Sequence, residues 1–205
     1  MVTLAHPWGL RLSCDVLLEA DALALTYTLD NHSELSIAAF NRFAIASPDG
    51  SSRLSPEGAY RDLAADTLTV SMLTLEVPPG LRVAEREVPF VTRIAPGHRF
   101  AETVRFARPV TLHSPYREAL MRASAPPGHT VTATRGARAT NVRFDLAVTR
   151  ITPPVSLRED APGVQRLWPP GPALASAAIL SLDVAPEGVI DVLDFEVVPR
   201  PDPTH

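Results

Sequence analysis

Eight of the ten glycines in this chain follow a proline by one or two positions. The segments are S-P-D-G (47–50), S-P-E-G (55–58), V-P-P-G (77–80), A-P-G (95–97), A-P-P-G (125–128), A-P-G (161–163), W-P-P-G (168–171) and A-P-E-G (185–188). Proline presets φ for the second position of a type I or II turn. Glycine supplies the positive φ or the small closing residue that such turns favour. A chain cut this often has little room for long helices. It divides into short segments joined by tight turns, and only Gly9 and Gly136 fall outside the pattern.

Between the turns the apolar residues alternate. Leu23, Leu25, Tyr27 and Leu29 share one face of 23–29, while Ala24, Thr26 and Thr28 share the other. That is the period of a half-buried strand. Within 141–149, Val142, Phe144, Leu146 and Val148 alternate in the same way with Arg143, Asp145 and Ala147. Further strands are expected at 11–18, 36–45, 59–63, 67–75, 87–94, 99–106, 177–184 and 189–198. The A-P-G-H turn reads as the loop of a hairpin between 87–94 and 99–106, and A-P-E-G as the loop of the last hairpin. One helix is expected at 114–122, with Ser114 as N-cap and Pro115 at its first position.

Nine or ten strands, at most one short helix and Pro/Gly turns predict an all-β protein, a single antiparallel β-sandwich. The strand 23–29 running into the polar D-N-H-S-E turn, and the A-P-G-H turn before a later strand, resemble immunoglobulin-like sandwich domains. The stretch 152–172 carries six prolines and no periodic pattern, so a long loop is expected there, a flap or a linker. About 33 residues follow it, too few for a second domain. Residues 1–198 are therefore expected to form one domain, with a frayed tail at 199–205.

Aromatic residues make up only 6% of the chain, so aliphatic side chains must fill the core. The formal net charge of −4 offers no long-range attraction to nucleic acid. All nineteen basic residues are arginine, a bias that the GC-rich codons shared by Arg, Ala and Pro account for. It removes Schiff-base, general-base and P-loop lysines from the available chemistry. The single cysteine, Cys14, has no partner for an internal disulfide. The opening M-V-T-L-A-H-P-W-G-L lacks a basic segment followed by a long apolar one, and no apolar run approaches the roughly 18 residues of a membrane span. A cytoplasmic protein is expected, with neither membrane nor nucleic acid as partner.

The six histidines show no HExxH or other metal-ligand spacing, so no metal and no cofactor is expected. There is no G-x-S-x-G elbow, and Cys14 reads as core. On the last strand, Asp194 and Glu196 share a face with Ile190 and Val192. Such a pair suits acid–base work, or a solvent-facing edge strand kept from aggregating by charge. Asp191 falls with Leu193, Phe195 and Val197, where a buried carboxylate would need an arginine. Asp191, Asp194, His98 and His113 are the candidate catalytic residues, with His129 as a further polar group for a small-molecule site. Arg135 and Arg138, read as loop residues, are candidate anion ligands, and ion pairing with the acidic residues is their competing role. Trp8 and Trp168 each stand beside a proline and read as staples of their loops; Trp168 becomes the ligand contact if the Pro-rich stretch is a lid.

No catalytic spacing emerges. The expectation is a non-catalytic protein-binding or assembly module that pairs with a partner, or with a second copy as a homodimer, through an edge strand. The alternative is a small all-β enzyme or small-molecule binder with its site at the sandwich mouth, near the Pro-rich stretch.

Overall fold

The alternating segments all become strands, and the turns between them carry the chain back and forth among three sheets. The computed structural model describes residues 1–46, 51–83, 88–161 and 163–200. Strands β1 (Val2–His6), β2 (Leu10–Leu18), β3 (Ala22–Asn31) and β9 (Arg99–Ala107) form a four-stranded antiparallel sheet in that order. A larger sheet is ordered β13 (Ser156–Ala161), β14 (Val164–Trp168), β8 (Phe90–Ile94), β4 (Ile37–Ala46), β12 (Asn141–Arg150), β7 (Thr67–Met72) and β6 (Tyr60–Ala64). The strand β15 (Ala178–Val184) lies on the opposite edge of β12, and β5 (Ser52–Ser55) pairs with the far end of β4. A third sheet is ordered β10 (Val110–Thr111), β16 (Ile190–Pro199) and β11 (His129–Ala139).

The main core lies between these layers. Leu10, Leu12, Cys14 and Val16 face it from β2, and Leu23, Leu25, Tyr27 and Leu29 from β3. Val142, Phe144, Leu146 and Val148 meet them from β12. Period two thus marks the inward face of each strand. Burial pushes the Cys14 thiol up to about 12, with Asp15 adding to the effect. Trp8 stays half-buried against the core, with the Arg150 guanidinium 4.6 Å from its ring centre, so it staples the β1–β2 turn.

The all-β sandwich stands, with corrections to its wiring. Among the described residues there are sixteen strand segments rather than nine or ten. Two pairs, β7–β12 and β10–β16, run parallel. The A-P-G-H turn does not close a hairpin. It crosses from β8 in the large sheet to β9 in the four-stranded sheet. Its Gly97 N donates to Asn31 O at 2.7 Å, and Asn31 N donates to His98 O at 3.0 Å. Asn31 is fully buried, and its Nδ2 also donates to Leu35 O and Ile94 O. One asparagine therefore ties the D-N-H-S-E turn to the crossing. The A-P-E-G turn likewise joins strands of different sheets, since β15 pairs with β12 and β16 with β11 and β10. Gly188 sits there at φ +129°, and a Cβ on it would meet Leu18 Cδ1 at 3.2 Å. Turn residues report that the chain reverses. They do not report whether it returns in the same sheet or in one stacked about 10 Å away.

The Pro-rich stretch is also not a loop. It holds the β13–β14 hairpin and runs into a short helix, α2 (Pro170–Ala175), in addition to the expected helix α1 (Pro115–Ser124). Of its six prolines, Pro153 and Pro154 precede β13, Pro169, Pro170 and Pro172 open α2, where a missing N–H costs nothing, and Pro162 lies outside the described residues. Together these elements cover the outer face of the large sheet. Val155, Leu167 and Ala173 bury Ala38, Phe40, Val91 and Ala147 in a second cluster separate from the main core. That is why β12 is buried on both faces near its end, where Thr149 Oγ1 meets Ser176 Oγ at 2.9 Å. Of the expected tail, Pro199 ends β16 and Arg200 N donates to Gly128 O at 2.7 Å; residues 201–205 lie outside the described residues, as does the turn at 47–50.

Candidate functional site

The foreseen carboxylates exchange roles. β16 is the central strand of its sheet, not an edge, and its inward face carries Ile190, Val192 and Asp194. Asp194 is only 3% exposed. It takes Arg117 Nη2 at 2.8 Å and accepts from Phe195 N at 2.7 Å, and Arg135 closes on its other oxygen. Arg117 in turn bridges to Asp62 on β6 at 2.5 Å. Asp194 is thus the hub that ties α1 and, through Arg117, β6 to the third sheet, and that joins β16 to its neighbour β11 within it. Asp191, expected on the buried face, points outward, with Arg108 Nη2 at 3.5 Å. Arg135 and Arg138 are strand residues of β11 rather than loop residues, opposite Asp194 and Asp191 in register.

The histidines do not converge. His98 sits exposed in the A-P-G-H turn, its Nδ1 2.9 Å from Pro96 O. His113 pairs through its backbone with Arg61, and its ring stacks at 5.8 Å on Tyr60. His129 lines an open apolar groove with Leu120, Met121 and Val197. Among the described residues, no group of three or more His, Cys, Asp or Glu side chains is placed to hold a metal ion, and no helix is long and apolar enough to cross a membrane.

Trp168 is the candidate that the fold places in a cleft. The inward face of the large sheet buries Ile37, Ala39 and Ile94. The same face continues across β8 to Phe90, then to Arg166 on β14 and Arg158 on β13, each opposite the next in register. Here the face runs out from under the four-stranded sheet, and its side chains are exposed or half-buried. Val88, Pro89, Arg158, Asp160, Arg166, Leu167, Trp168 and Pro170 line a cleft of about 330 Å³. The Arg166 guanidinium lies 3.9 Å from the Phe90 ring centre and pairs with Asp160 at 2.9 Å. Arg158 lies 5.8 Å from the Trp168 ring centre. Trp168 is 55% exposed, so it does not staple the hairpin down. Guanidiniums over aromatic faces present a surface that is both apolar and cationic.

Beside this overhang lies a polar centre that the sequence reading missed. A bulge in β4 between Phe40 and Arg42 brings both Asn41 and Arg42 within reach of Glu102 on β9. Glu102 accepts from the Tyr27 hydroxyl at 2.8 Å and pairs with Arg42 at 2.7 Å. Asn41 Nδ2 donates to the same hydroxyl at 3.1 Å. Burial, with the Glu102 charge next, holds the Tyr27 phenol well above its ordinary value. The centre pins the two sheets together where they part. Its one sequence trace was a tyrosine among the leucines of β3, since a buried phenol needs a partner.

No family model matches the chain, and no curated protein or solved structure is significantly similar to it.

Proposed function

We propose that the chain is a cytoplasmic, non-catalytic binding module that receives an extended segment of a partner protein as an added strand on the outer edge of β13. The observation that carries this reading is the juxtaposition of that edge with the Trp168 cleft. Among the described residues β13 pairs only with β14. A bare edge supplies backbone affinity for almost any extended chain, and a side-chain cleft beside it supplies selectivity. Support also comes from how the other candidates are engaged. Asp194 is held between two arginines, and the edge of β15 lies against β1 and β2.

A second reading rests on the cleft alone. At about 330 Å³ it stands at the small end of ligand cavities, so a small planar anion is the competing occupant.

Selection of a displayed random-peptide library on the immobilised protein tests the proposal. Enriched peptides are expected to lose binding on Trp168→Ala and to keep it on Arg138→Ala, at the distant edge of β11. Enrichment indifferent to Trp168, or no enrichment at all, overturns it. A second copy as the partner would appear instead as a dimer in light scattering, lost on Trp168→Ala.

A further inference from the structure

The charges and register around β13 specify what kind of segment the edge would receive. This inference rests on the strand-addition reading above. Two arginines, Arg158 and Arg166, face one carboxylate, Asp160, in the cleft. Arg166 is committed, stacked on Phe90 and paired with Asp160. Arg158 stands 3.9 Å from Asp160, beyond hydrogen-bond distance, with its side chain 67% exposed. Glu159 alternates to the opposite face, where its carboxylate accepts from Gly163 N at 2.8 Å within the hairpin. The cleft lining therefore carries one surplus positive charge, on a chain whose formal charge is −4.

Register sets the second requirement. Ser156 is the β13 residue opposite Trp168, and Arg158 lies two residues on, on the same face. A residue added opposite Arg158 brings its Cβ to roughly 5 Å from the Arg158 Cβ, within reach of a carboxylate pair. A residue added opposite Ser156 lies two strand spacings, roughly 9.6 Å, from the Trp168 backbone. The small Ser156 leaves that path open, and only a long or aromatic side chain spans it.

We infer that the segment received at β13 is acidic and extended, with a carboxylate opposite Arg158 and an aromatic or long apolar residue two positions away, opposite Ser156. The pattern is acid-x-aromatic for an antiparallel addition and aromatic-x-acid for a parallel one.

The test uses the full chain with Trp8→Phe, so that tryptophan emission reports Trp168 alone. The probes are threonine-rich octapeptides with Glu-Thr-Phe or Phe-Thr-Glu at their centre, and the same peptides with Lys in place of Glu. One Glu peptide is expected to shift the emission and to bind about tenfold more tightly than its Lys counterpart, a difference of about 1.4 kcal/mol. Arg158→Glu should reverse the preference, and added salt should weaken it. Calorimetry on the unmodified chain gives the same comparison without Trp8→Phe. Equal binding of Glu and Lys peptides, or a preference unmoved by Arg158→Glu, overturns the acidic chemistry and leaves strand addition standing. If these peptides and every peptide selected by display fail to bind β13, strand addition itself fails.

Discussion

At the residue scale, the chain uses its few polar interior groups to join elements, and its one cysteine to fill space. Cys14 shows how buried a single position on β2 is. Its thiol is held at about 12, against about 8.5 in an unfolded chain. The raised value means that the folded state keeps the proton which the unfolded state releases. Stability from this group is full below the unfolded value and is lost as pH rises toward 12. Between pH 8 and 9.5, below the ordinary range of tyrosine, the unmodified chain should lose about 1 kcal/mol that Cys14→Ala does not lose. Urea midpoints at the two pH values measure the difference, and parallel losses would show that the thiol is not buried. Cys14 reads as core from its residue type, and the structure sets it on one inward face with Leu12 and Val16. Alternation could not rank the two faces of β16. Both carry apolar residues and carboxylates, so the pattern sets Asp191 on the face expected to be apolar and leaves Asp194 as either an acid–base residue or a solvent-facing charge. The face that won is the one aligned with Ile190 and Val192, which are almost fully buried.

At the element scale, the segments β2, β3, β7, β9 and β12 were legible because each alternates over at least six residues, and β4 as an apolar run buried on both faces. β11 was not legible. Its T-V-T-A-T-R-G-A-R-A run is small and polar, and it holds its place by pairing with β16 along nearly its whole length. The Pro-rich hairpin was hidden for another reason. Its strands are short, and its apolar residues serve a second cluster whose other half, Phe40, Val91 and Ala147, lies on the outward side of strands assigned to the main core. That separation has a thermodynamic consequence. Leu167→Ala removes a buried side chain from the second cluster alone, at a cost of about 2–4 kcal/mol. Amide exchange across 156–168 is expected to accelerate tenfold or more, while β2, β3 and β12 keep their protection. Uniform acceleration through both clusters would mean that the hairpin unfolds only with the sandwich.

At the scale of the whole molecule, the defining feature is a mismatch in width. The large sheet spreads from β13 to β6, and the four-stranded sheet does not cover it to the β13 end. Where cover ends, Tyr27, Asn41, Arg42 and Glu102 close the parting with polar bonds. Beyond them the sheet's inward face carries the half-buried Phe90 and the exposed Arg166, Arg158 and Trp168. No single strand's pattern encodes that overhang, since it depends on which sheet each turn crosses into. Trp168 was the one part of it visible from the sequence, because a tryptophan set among prolines marks either a staple or a contact. The central claim is that this overhang, with the outer edge of β13, receives an extended partner. Hydrogen–deuterium exchange of the full chain, with and without a display-selected peptide at saturation, tests it most directly. The account predicts slowed exchange at the amides of 156–160 and, to a lesser degree, β14, with β11 and β1 unchanged. Protection confined to another edge, or absent from β13 while the peptide is bound, would contradict it.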